Sequence, residues 1–144
     1  FEHLQSRMLK RYLTDVSPIP DAHQLVDALL AQGIDCCVAT GTETRYAIPA
    51  LERGGFLHKM QFVVGGCDLG VFKDDPEYFR RVAAKLGREP GECVVFEDAL
   101  YSIQSAKRAG CRVYAIEEDF AEPDRDQIIL LADRYMRSYS ELLN

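Results

Sequence analysis

Apolar residues along this chain switch between two spacings, and the switching predicts most of its elements. Ala22, Leu25, Val26, Leu29 and Leu30 recur at helical period, behind an Asp21…Gln24 capping-box pattern and ahead of Gly33 as a stop. "IDCCVAT" then has the continuous apolar character of a buried strand and breaks at Thr40-Gly41-Thr42. A second helix is expected over Glu43 to Arg53, kinked or shortened at Pro49 and stopped by Gly54-Gly55. "QFVVGG" reads as a short strand and "CDLGVFKDD" as loop. Asp75-Pro76 has the chemistry of an N-cap followed by proline at the first helical position, and Phe79, Val82, Ala83 and Leu86 continue that helix to Gly87. A strand from Cys93 to Phe96, a helix from about Ala99 to Ala109 and a strand from Arg112 to Ile116 follow. Asp124…Gln127 and Ser138…Glu141 form two more capping patterns. At the front, Leu4, Met8, Leu9 and Leu13 fall at helical spacing, and the prolines of "DVSPIP" mark a connector.

Strands alternating with helices in this way predict an α/β fold, a Rossmann-like parallel sheet flanked by helices on both faces. In such sheets ligands bind beyond the carboxyl ends of the strands. Thr40, the stretch from Asp68 to Lys73, and Glu97-Asp98 all follow predicted strand ends. Composition narrows the classes. The 144 residues, 47% hydrophobic and 28% charged, suit one globular domain with a single core. A net charge of -6 without a basic cluster argues against a nucleic-acid-binding face, and no apolar run approaches the roughly 20 residues of a membrane span. The five cysteines (36, 37, 67, 93 and 111) include no CxxC pair, which points to reduced core thiols in a cytoplasmic protein.

The shared edge carries the candidate chemistry. Thr40, Gly41 and Thr42 offer two hydroxyls and a closely approachable backbone at a helix start, suited to an anion, although on this stretch alone a helix cap and glycine turn is the better reading. Lys73 is placed either to hold a phosphate oxygen or to be a solvated lysine. Glu97 and Asp98 are hard oxygen donors that suit Mg2+, or a cap and a favourable charge at the start of the next helix. Taken together, a hydroxyl, a cation and an acidic pair after three different strands assemble a phosphate-plus-magnesium site.

Their order resembles that of the haloacid dehalogenase-like hydrolases. Thr40, then Lys73 in "KDDPEYF", then "VVFEDALYSIQSAKRAG" are similar to the family's strand ending in T-S or S, its K-P-x-P-D/E-x-F/Y, and its E-D-S-x-x-G-I-x-A-A-x-A-G. The β-phosphoglucomutase-like and phosphoglycolate-phosphatase-like subgroup is the nearest, and "SPIPDAHQLVDALLAQGI" resembles its entry from cap to core. The likeness runs from about Ser17 to Leu143. It implies Mg2+-assisted phosphoryl transfer on a small phosphorylated metabolite through an aspartyl-phosphate. Thr40, Gly41 and Thr42 would bind the phosphate, Lys73 would neutralise it and orient the nucleophile, and Glu97 and Asp98 would bind or position the metal. Asp74, Ala99 and Ser102 depart from the usual proline, serine and glycine.

The family's first motif, D-x-D-G-T/V, which carries the nucleophile and lies on the central strand, does not occur before Thr40. The expectation is therefore part of a longer phosphatase: residues 1–17 ending a helical cap and linker, residues 18–144 forming a partial core without its N-terminal central strand. A monomer is the expected state of the complete protein. The competing reading is a catalytically silent binding module that keeps half a site. A two-component receiver domain has similar residues, but its acids come first and here they come last.

Overall fold

In the computed structural model, which describes residues 17–143, helix α1 (Ala22–Ala31) sits on the expected stripe and buries Leu25. Its start is not the capping box expected at Asp21. Asp21 is left-handed, φ 66°, and its side chain caps nothing. The Ala22 N–H bonds Ile19 C=O at 3.1 Å, so Pro20 and Asp21 occupy the centre of a tight turn of the kind that wants proline first and positive φ second. That turn fixes the Asp21 backbone before the helix can use it. The likeness to a cap remnant over residues 1–17 lies, Ser17 apart, outside the described residues.

Strand β1 (Val38–Ala39) pairs in parallel with β2 (Val63–Val64). Both are shorter than their apolar runs, and Cys36 and Cys37 precede β1 instead of lying in it. Between them α2 (Thr44–Arg53) buries Tyr46 and Ala47 and runs through Pro49 without ending. The His23 ring fastens α1 to the end of α2. It stacks on Phe56 at 3.8 Å, its Nε2 lies 2.7 Å from Gly54 C=O, and Lys59 Nζ lies 3.1 Å from its Nδ1. Where a loop was expected, the short helix α3 (Gly66–Leu69) forms, with the Gly65 N–H held by Asp68 Oδ2 at 2.8 Å.

Helix α4 (Pro76–Lys85) begins as its sequence predicts: Asp75 Oδ1 accepts the Glu77 N–H at 2.9 Å, and Pro76 needs no partner there. Its inner face buries Tyr78, Phe79, Val82 and Ala83. Next come β3 (Val94–Glu97), α5 (Leu100–Ala109), β4 (Arg112–Ile116), α6 (Arg125–Leu131) and β5 (Arg134–Met136). Asp124 does not cap α6, because a 3-10 segment over Asp119–Asp124 leads directly into it and supplies the backbone acceptors. The Ser138…Glu141 box does form, but on a 3-10 turn (Tyr139–Leu142). Ile103, Ala106, Val113 and Ala115 knit α5 and β4 to α4 in one core. Among the described residues no helix is long and apolar enough to cross a membrane.

The strands are all parallel, as expected, but they form two sheets, β1-β2 and β3-β4-β5. Val38 and Thr40 donate to Phe62 and Val64, so the intervening Cys37 and Ala39 aim their N–H and C=O groups away from β2. On the other side Cys93 C=O accepts from Arg112, so Val94 and Phe96 aim theirs away from β4. A cleft of about 160 Å³ lies between these two edges, lined by Cys37, Ala39, Val94 and Phe96 over the Phe79 and Val82 side chains of α4. Among the described residues no strand occupies it.

Candidate active site

Thr40 stands at the carboxyl end of β1 and is fixed through three groups. Its N–H bonds Val64 C=O at 2.9 Å, its Oγ1 accepts the Thr42 N–H at 2.9 Å, and its C=O accepts the Tyr78 hydroxyl at 3.1 Å. Tyr78 is entirely buried, and that burial, ahead of nearby anionic groups, pushes its phenol upward, so it remains a donor. Thr40 Oγ1 accepts from Thr42, and its own proton remains available for donation. A Cβ at Gly41 would lie 3.8 Å from the Tyr101 hydroxyl and 4.0 Å from Lys73 Cδ. Lys73 and Tyr101 thus converge on the Thr40–Gly41 turn, just ahead of α2.

Lys73 reaches that point from the loop before α4, and Glu97 from the last position of β3. Their Nζ and Oε2 are 2.8 Å apart, with side chains only 13% and 10% exposed. Glu97 Oε2 also accepts from Ser102 Oγ at 2.7 Å, while Oε1 accepts the Asp98 and Ala99 N–H groups at 3.0 and 3.4 Å. Burial alone would raise the Glu97 pKa. The charge and hydrogen bond of Lys73, helped by the Asp98 contacts, outweigh it and hold the carboxyl below its usual range.

Asp98 has the opposite environment. Burial first, then the adjacent Glu97 carboxylate and the charge of Glu118, push its carboxyl up to about 6. An ionised Asp98 is therefore an anion in want of a cation, which is the donor chemistry a Mg2+ ion would meet. Among the described residues no group of three or more His, Cys, Asp or Glu side chains is placed to hold a metal ion by itself. Sequence reasoning treated Glu97 and Asp98 as one metal-binding pair. The two differ in surroundings: both Glu97 oxygens are engaged and one anchors Lys73, whereas the Asp98 carboxyl meets the Glu97 side chain and, among the described residues, no cation.

Thr40, Gly41, Lys73, Glu97 and Asp98 are brought to one edge, and Thr42 contributes its backbone N–H to the same turn. Tyr78 and Tyr101 are not singled out by the sequence, and Ser102 stands out there only as a departure from the family's glycine. Tyr78 lies buried on the inner face of α4, and Tyr101 and Ser102 sit in the first turn of α5, where a strand-to-helix reading could have placed them beside Glu97. The serine standing for the family's usual glycine supplies a hydroxyl to Glu97 although Ala99 has none.

A family model described as haloacid dehalogenase-like hydrolase matches residues 4–110. The fructose-1-phosphate phosphatase YqaB of Escherichia coli is 38% identical over 73 residues, 51% of this chain and 39% of its own. The phosphoglycolate phosphatase of Salmonella paratyphi A is 30% identical over 110 residues, 73% of this chain and 44% of its own. The chain thus spans less than half the length of these curated relatives. Among solved structures, a HAD phosphatase from Thermococcus onnurineus superposes with a TM-score of 0.77 at 26% identity, covering 93% of this chain and 60% of that one.

Proposed function

Because the chain belongs to the haloacid dehalogenase-like hydrolase family, we propose that it carries the phosphate-binding half of a Mg2+-dependent phosphatase for a small phosphorylated metabolite. The observation that carries this reading is the buried Lys73–Glu97 pair beside the Thr40–Gly41 turn. Desolvating two charges is a costly way to stabilise a fold, since apolar residues of similar volume do it as well. Such a pair is better explained as a cation held ready where a phosphate arrives. The phosphatases named for fructose 1-phosphate and phosphoglycolate among the relatives support a small monoester.

In this reading the Thr40 hydroxyl and the Gly41 N–H hold phosphoryl oxygens, and Thr42 braces that turn. Lys73 neutralises the transferring group and orients the nucleophile, while Glu97 and, behind it, Ser102 keep the ammonium in place. Asp98 holds the metal, with Glu97 positioning it. When bound, Mg2+ supplies counter-charge to the phosphate. The attacking carboxylate comes from a D-x-D-G-T/V segment outside this sequence, on a strand lying in the cleft between β1 and β3. Its attack on phosphorus breaks the ester P–O bond, the alcohol leaves with a proton from the segment's second aspartate, and water then hydrolyses the aspartyl-phosphate to free phosphate.

The experiment is phosphate release from small monoesters, fructose 1-phosphate and phosphoglycolate among them, by the chain joined to such a segment. A variant with the segment's first aspartate changed to asparagine is the control. Mg2+-dependent release lost in the control supports the reading. Phosphate binding without release points to the silent binding module, and neither binding nor release rejects both.

A further inference from the structure

The Tyr101 hydroxyl is not tied into the hydrogen bonding of the fold. The residue lies in the first turn of α5, is 53% exposed, and its hydroxyl has no hydrogen-bond partner among the described residues. Exposed tyrosines are ordinary, but this one has a particular address. Its oxygen is 3.8 Å from where a Gly41 Cβ would stand, and Lys73 Cδ approaches the same point at 4.0 Å. The donor therefore overhangs the turn across which Thr40, Gly41 and Lys73 face a ligand.

We infer that Tyr101 is a further binding residue of this site, donating its phenolic hydrogen to an oxygen of the bound phosphate. This rests on the phosphate-site reading given above. Thr40 and Gly41 approach the anion from β1 and Lys73 from the loop before α4, and Tyr101 closes the α5 side. Gly41 is what leaves room. A side chain there would enter ordinary contact with both the phenol and the lysine stem and occupy the space between them. A phenol that donates to a charged oxygen adds to affinity where it can reach and nothing to folding, because in the unbound protein it faces water.

The test is binding of inorganic phosphate, read by 31P NMR titration, with thermal midpoints measured without phosphate. The proteins are wild type, Tyr101→Phe, Gly41→Ala and the charge-balanced Lys73→Gln/Glu97→Gln double variant, which avoids a lone buried charge. Tyr101→Phe removes one oxygen and is expected to bind phosphate about tenfold more weakly with an unchanged midpoint. Gly41→Ala is expected to weaken binding as well. The double variant is expected to bind none. If Tyr101→Phe binds as wild type while the double variant does not bind, the role of Tyr101 is overturned and the phosphate site stands. If wild type shows no titration, or the double variant titrates as wild type does, the phosphate-site reading falls and Tyr101 with it.

Discussion

Glu97 and Asp98 are neighbours in sequence with opposite electrostatics, and the difference sets what each substitution does. Glu97 accepts from Lys73, Ser102 and two backbone N–H groups. Glu97→Gln leaves the Lys73 ammonium largely buried without its counter-charge, and is expected to lower stability by about 3 kcal/mol. Asp98→Asn removes an anion that its surroundings disfavour, so the metal-free protein should be no less stable at neutral pH. Chemical denaturation with a chelator present checks both, and a larger loss for Asp98→Asn would reverse the assignment of roles. In the complete enzyme, Asp98→Asn should abolish most Mg2+ dependence. Lys73→Ala should cost about 3–4 kcal/mol of transition-state stabilisation, the scale of a preorganised electrostatic group. Thr40→Ala should cost less, since the Gly41 N–H remains. Steady-state turnover measures all three, and wild-type rates in Lys73→Ala and Thr40→Ala together would mean this edge is not the reacting one.

At the scale of elements, the legible parts were those whose signals are local. Asp75-Pro76 starts α4 because a carboxylate acceptor and a residue without an N–H are what a helix start requires, whatever lies beyond. Asp21 and Asp124 carry similar letters and cap nothing, since a proline turn sets one backbone and a 3-10 segment feeds the other. Such preceding geometry is not in a four-residue pattern. The site follows the same division. Strand ends located Thr40, Lys73 and Glu97-Asp98, but the helical rotation that turns Ser102 inward and Tyr101 outward had to be seen. Asp133 shows a long-range tie of this kind, accepting from Lys107 of α5 at 2.9 and 3.0 Å and from the Val113 N–H of β4 at 2.8 Å. The hydrogen bonds from Lys107 and Val113 lower its pKa from 3.8. A depressed carboxyl stabilises the fold above its unfolded pKa, and that contribution is lost as pH falls through the folded value. Asp133→Asn is thus expected to cost about 1 kcal/mol at neutral pH. The gap from wild type should close below about pH 4. Thermal melts across that range measure it, and a gap that persisted in acid would assign the effect to packing.

For the molecule as a whole, the two sheets with a cleft between them set the terms of activity. Positioning of a nucleophile in line with phosphorus supplies much of the rate in phosphoryl transfer. The 144-residue chain alone is therefore expected to release no phosphate from monoesters. A co-expressed segment with D-x-D-G-T/V should restore Mg2+-dependent release, and robust release by the chain alone would demand another nucleophile. The facing edges also leave a mark that needs no substrate. Along β1 and β3, backbone amides point alternately into a ladder and into the cleft. Deuterium should enter Cys37, Ala39, Val94 and Phe96 quickly, and Val38, Thr40 and Val95 slowly, giving a two-residue beat in the exchange rates. A strand seated in the cleft would erase the beat by slowing the first set alone, so amide exchange can register its arrival residue by residue, independently of catalysis.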